Sequence, residues 1–85
     1  SLSTEELAIN DINIYPNPTK NTLNIKLNNS NKAEASLYDM SGRLVLKEKL
    51  NPETSVINMR NLNSGIYLLK IVLDNTIITK RIIKQ

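Results

Sequence analysis

From Asn10 onward, apolar and polar residues alternate with a period of two, and turn-forming residues interrupt the alternation at short intervals. Leu23, Ile25 and Leu27 alternate with Thr22, Asn24 and Lys26, and Ala33, Ala35 and Leu37 repeat the pattern against Lys32, Glu34 and Ser36. That spacing sends successive side chains to opposite faces of an extended strand, one face buried and the other wet. The breakers are Pro16-Asn17-Pro18, Asn28-Asn29-Ser30-Asn31, Asp39-Met40-Ser41-Gly42, Asn51-Pro52-Glu53, Asn61-Leu62-Asn63-Ser64-Gly65 and Asp74-Asn75. Each supplies residues that fix a turn or tolerate positive φ. About seven strands are predicted, near residues 10–15, 22–27, 32–39, 43–50, 54–59, 65–73 and 76–84. Short strands at such spacing favour an all-β antiparallel sandwich over βαβ units.

At 85 residues the chain holds one domain at most. A domain of that size buries roughly 60% of the surface its unfolded chain exposes, so its core must be simple. The absence of cysteine removes disulfides and thiolate metal sites, and the absence of histidine removes the commonest general base and metal ligand. No nucleophile, base and oxyanion donors can be assembled into a catalytic constellation, so the chain is not expected to be an enzyme or to hold a cofactor or metal. No stretch approaches the roughly 18 apolar residues of a membrane helix, and no signal-peptide pattern is present. Thr4-Glu5-Glu6-Leu7 could cap a helical turn, but the apolar periodicity stops there, and residues 1–9 read as a linker ahead of a domain over 10–85. The start at Ser1 fits a fragment of a longer, exported precursor.

Residues 1–42 carry three Lys and five acids, whereas residues 43–85 carry eight Lys/Arg and three acids. Solvated strand faces and charged sheet edges account for most of that basic excess. Ile66 to Leu73 is almost continuously apolar, with Tyr67, Leu69, Ile71 and Leu73 on one side and Ile66, Leu68 and Val72 on the other. It should be a central strand. Its neighbour at 76–84 sets Lys80, Arg81 and Lys84 among Ile77, Ile78, Ile82 and Ile83, which predicts an edge strand with one face packed and the cations pointing out. A charged strand at a terminus points to an end that another molecule reads.

Tyr15-Pro16-Asn17-Pro18 fixes φ twice and removes two donors, a rigid corner on which Tyr15 would cover the core edge. In Leu37-Tyr38-Asp39-Met40-Ser41-Gly42-Arg43-Leu44-Val45, Asp39 can accept bonds from backbone amides ahead of it and Gly42 can take the left-handed position of a bulged hairpin. Calcium at Asp39 is disfavoured, because Asp11, Asp39 and Asp74 are scattered whereas the ion wants six to eight clustered oxygens, roughly. Tyr15, Tyr38 and Tyr67 form no basic-aromatic cluster, so no nucleic acid is expected as a partner. The asparagines sit in turns, and with no Trp or Phe the flat platform of many carbohydrate-binding modules is missing.

Taken in order, Tyr15-Pro16-Asn17-Pro18, Leu37 to Arg43, Leu62-Asn63-Ser64-Gly65-Ile66-Tyr67-Leu68-Leu69-Lys70-Ile71 and Lys80-Arg81-Ile82-Ile83-Lys84 resemble the type A C-terminal sorting domain of the type IX (Por) secretion system. The resemblance covers about Asn10 to Gln85. It implies an immunoglobulin-like sandwich of seven strands, covalently attached behind an N-terminal cargo domain, in a Bacteroidetes-type bacterium. The family's cargo passes through the periplasm, is recognised by an outer-membrane translocon, and reaches the cell surface or the medium. A sortase-like protease then removes the domain, and many cargoes are joined to anionic lipopolysaccharide.

Carried over by position, Lys80, Arg81, Ile82, Ile83, Lys84 and Gln85 would form the translocon recognition element. Pro16, Asn17, Pro18, Asp39, Gly42, Gly65 and Tyr67 would be family landmarks, with cleavage in the linker of Thr4, Glu5, Glu6, Leu7, Ala8 and Ile9. The chain departs from the family pattern in placing Asn21 where a glycine often follows the Pro-Asn-Pro turn, and in ending on Gln85 rather than lysine. Recognition by strand addition or by an acidic groove would suit such a tail, and the same edge could support a weak homodimer. An adhesive or ligand-binding sandwich of a multidomain surface protein is the alternative function, and a structural spacer a further one.

Overall fold

The computed structural model describes residues 12–27, 33–51, 53–73 and 76–85. Within them lie seven strands: β1 (Ile12–Tyr15), β2 (Thr22–Leu27), β3 (Ala33–Asp39), β4 (Leu44–Leu50), β5 (Thr54–Asn58), β6 (Gly65–Leu73) and β7 (Thr76–Lys84). They agree with the predicted strands to within one residue at most ends; residues 10, 11 and 32 lie outside the described residues.

The strands form a three-stranded sheet ordered β1-β2-β5 and a four-stranded sheet ordered β4-β3-β6-β7, with all strand pairs antiparallel. The chain crosses between sheets from β2 to β3, from β4 to β5 and from β5 to β6. Such crossings make a Greek-key sandwich of immunoglobulin-like order. Tyr67, near the start of β6, donates from its hydroxyl to the Asn63 carbonyl at 2.7 Å, the corner contact of sandwiches of this kind.

The period-two pattern explains the core. Leu23 and Ile25 of β2 and Ile57 of β5 face Leu37 of β3, Leu69 and Ile71 of β6 and Ile82 of β7, and all seven are fully buried. Met59, just beyond β5, closes the same cluster. Burying each such side chain contributes about 1.5–3 kcal/mol, which a chain this short needs from nearly every inward position. β6 is an interior strand and β7 an edge strand, as the sequence predicts.

Two expectations fail. Tyr15 does not cover the core: Ile12 and Ile14 take the inward positions of β1, and Tyr15 is exposed. Nor do all the cations of β7 point out. Opposite β6, Lys80 pairs with Leu69, Ile82 with Tyr67 and Lys84 with Gly65, so these three share the core side of the strand. Lys80 there is exposed, while Lys84 is only 8% exposed. Ile77, Thr79, Arg81 and Ile83 take the outer side. A doubled isoleucine must place one member on each face, and strand register rather than charge decides which.

Candidate recognition site at the C-terminal strand

Residues far apart in the sequence meet at one end of the four-stranded sheet. Register places Asp39 opposite Tyr67, Tyr67 opposite Ile82, and Gly65 opposite Lys84. The Pro16–Thr19 segment joins them from the other sheet. After β1 the chain runs through cis Tyr15-Pro16 and Asn17-Pro18 bonds and lays Thr19 parallel to Lys84 along the outer edge of β7.

Asn17 completes that contact with its side chain. Its Oδ1 accepts from the Ile83 amide at 3.0 Å and its Nδ2 donates to the Arg81 carbonyl at 2.9 Å. The Thr19 amide donates to the Ile83 carbonyl, and the Gln85 amide to the Thr19 carbonyl, both at 2.8 Å. A primary amide holds one donor and one acceptor face, so it stands in for a peptide group where the flanking prolines have none to offer. Thr19 is itself buried, with its hydroxyl donating to the Thr22 carbonyl.

The tail is therefore tied down by backbone and divided by side chain. Ile82 is fully buried and Lys84 nearly so, its Nζ donating to the Gln85 main-chain oxygen at 3.1 Å. Lys80, Arg81, Ile83 and Gln85 remain exposed. Further back on β7 the edge is open: among the described residues, none bonds the outward peptide groups of Ile77 and Thr79.

The turn between β3 and β4 is built by Asp39. Its Oδ1 accepts from the amides of Ser41 and Arg43, each at 3.0 Å, and from the Ser41 hydroxyl at 2.7 Å, while Arg43 Nε reaches Oδ2 at 3.2 Å. Gly42 sits at φ 91°, a left-handed conformation that side chains resist. The Ser41 hydroxyl bond, then the Arg43 amide, holds the Asp39 carboxyl below the usual carboxylate range. Val45, unpaired where the register shifts between Leu37 and Tyr38, forms a bulge that re-aims β4. With its oxygens so occupied, Asp39 serves the turn. Among the described residues no three metal-ligating side chains converge; Asp11 and Asp74 lie outside them.

Residues 13–85 match the family described as the secretion system C-terminal sorting domain. The chain belongs to that family. This sorting domain of the type IX (Por) system is similar, at 31% identity over 98% of its length, to ulvan lyase NLR42 of Nonlabens ulvanivorans. It is 32% identical over 88% of its length to an endo-acting ulvan lyase of Formosa agariphila. The matches cover 16% and 15% of those two proteins, so the chain spans a small part of the relatives it resembles. Sorting domains of this family are C-terminal signals of secreted or cell-surface proteins.

Sequence reasoning placed the sorting-domain landmarks without their mutual contacts. It missed Thr19, and it gave the Pro-Asn-Pro corner no long-range role. The available signal was Asn17 itself, an amide side chain between two residues that cannot donate. The linker of Thr4, Glu5, Glu6, Leu7, Ala8 and Ile9 lies outside the described residues.

Proposed function

We propose that the domain is a non-catalytic address, read at the outer-membrane translocon by its clamped last strand, and that it conveys an N-terminally attached cargo. The observation that carries this reading is the convergence of the Asn17, Asp39, Gly65 and Tyr67 segments on residues 81–85. A tail held this way presents Arg81, Ile83 and Gln85 in fixed positions, with Lys80 exposed just ahead of the clamp, so a receptor need not order them. Ile82 and Lys84 act from beneath, fixing the height and twist of the strand. Preorganisation of that kind lowers the entropic cost of association.

β1 begins at Ile12 opposite Leu27, at the end of the sandwich where β3 starts, whereas the tail closes the end where β3 stops. Cargo would be joined through residues 1–11 ahead of Ile12, and a sortase-like protease would cut in residues 4–9. Pairing between two copies, as a weak homodimer, would use the open edge of Thr76–Lys80 rather than the occupied one.

The test is a reporter carrying a signal peptide and ending in residues 1–85, expressed in a host with and without a functional type IX translocon. The expected result is reporter outside the cell only when the translocon is present, and periplasmic reporter otherwise. Reporter released equally in both hosts, or retained in both, contradicts the proposal.

A further inference from the structure

Among the described residues nothing covers the outer face of the four-stranded sheet, and that face is unevenly composed. Register aligns Leu44, Tyr38, Leu68 and Arg81 in one row across all four strands, with Ile66 and Ile83 paired in the next row toward the tail. Leu44 is 48% exposed and Leu68 37%, and both isoleucines are exposed as well. In the row on the other side, Lys47, Ser36, Lys70 and Thr79 are aligned. An aliphatic surface at the same end of the sheet as the clamped tail, which shares Arg81 and Ile83 with it, thus abuts a polar row that carries Lys47 and Lys70.

We infer that this apolar and cationic face, centred on Leu68 and Leu44, docks onto a protein partner that presents an apolar surface with an acidic flank. The inference rests on the sorting role proposed above and names the surface that such a partner grips. Charge selects the partner. Glu34 is occupied by Lys47 at 3.6 Å, and Lys70 and Arg81 have no carboxylate partner among the described residues. A second copy would bring the same cations against them, and like charges across an interface disfavour association. An anionic membrane fits the charge but not the shape. Interfacial anchoring sinks an apolar face into the headgroup boundary with the cations on the opposite, polar side, whereas here Lys70 and Arg81 lie on the same sheet face as Leu44 and Leu68. A flat apolar centre with a charged rim is the anatomy of a protein interface.

Two measurements decide it, both on the full chain fused to the reporter above. In the first, Leu44→Ser/Leu68→Ser and Lys70→Glu/Arg81→Glu are compared with Val56→Ser, an exposed residue of the other sheet. Either double variant should cut export by about tenfold or more, as loss of an interface anchor does, with Tm within a few degrees of the parent. Val56→Ser should export normally. In the second, a photoreactive residue at position 68 should crosslink to an outer-membrane component of the translocon, and the Lys70→Glu/Arg81→Glu change should abolish that crosslink.

Normal export by Leu44→Ser/Leu68→Ser overturns the inference while leaving the sorting role intact; normal export by Lys70→Glu/Arg81→Glu overturns it and strikes the reading of the tail as well, because Arg81 belongs to both; failure of the unmodified domain to export strikes the sorting role alone. Crosslinking at position 68 to lipid, to a second copy, or to residues 1–11 of the same chain also overturns it.

Discussion

The two halves of β7 share a neighbour on one side and differ on the other. Both pair with β6 along the full strand, but among the described residues only Arg81 to Gln85 meets a second partner, in Asn17 and Thr19. The half from Thr76 to Lys80 offers an open edge and places Ile77 outward at 59% exposure. Among the described residues, one strand is thus bonded on both edges over its last residues and on one edge before them. An edge strand is not uniform merely because its composition is.

The largest expected difference between the halves comes from truncating an isoleucine in each. Ile82→Ala removes a fully buried side chain from the clamped half and should cost about 2–5 kcal/mol in urea unfolding. Ile77→Ala, in the open half, should stay within about 0.5 kcal/mol of the parent. Equal losses would erase the distinction.

Asn17→Ala should act next. It removes the partners of the Ile83 amide and the Arg81 carbonyl, at about 1 kcal/mol for bonds that water can partly replace. Amide exchange should accelerate at Ile83 and stay unchanged at Thr79, whose amide lacks that partner. Acceleration at both would mean that Asn17 supports the whole strand rather than its end.

A smaller effect concerns the turn at the same end of the sheet. Hydrogen bonds from the Ser41 hydroxyl and the Arg43 amide lower the Asp39 pKa in the folded state, so Asp39 binds its proton more weakly there than in the unfolded chain. The associated stability is present above the unfolded pKa and is lost as pH falls through the lower folded value. The stability difference between the parent and Asp39→Asn should therefore shrink on acidification below the usual carboxylate range, as followed by Tm across pH. A difference that grows on acidification would contradict the assignment.

Much of the fold was legible because local rules and tertiary structure agree. Strict alternation in β2 and β3 and turn residues at Asp39–Gly42 each specify one conformation without outside help. The tail was legible as an edge strand, but not in its facing. In a segment with isoleucine at 77, 78, 82 and 83, either register buries two of them, and only pairing with β6 decides that Lys80 and Lys84 take the core side. The Asn17 clamp was hidden for a related reason. A bond spanning 66 residues leaves no periodic trace, and its only local sign is an asparagine in a proline-rich corner that a turn already explains.

The central claim is that a folded, clamped strand is read through its exposed side chains. The most direct test measures the exported fraction of a reporter ending in the Lys80→Ala/Arg81→Ala variant, with Tm recorded on the same protein. Tm unchanged within a few degrees and export reduced by about tenfold is the predicted result, since surface truncations cost little stability while a lost recognition contact is felt directly. Unchanged export at unchanged Tm would contradict it.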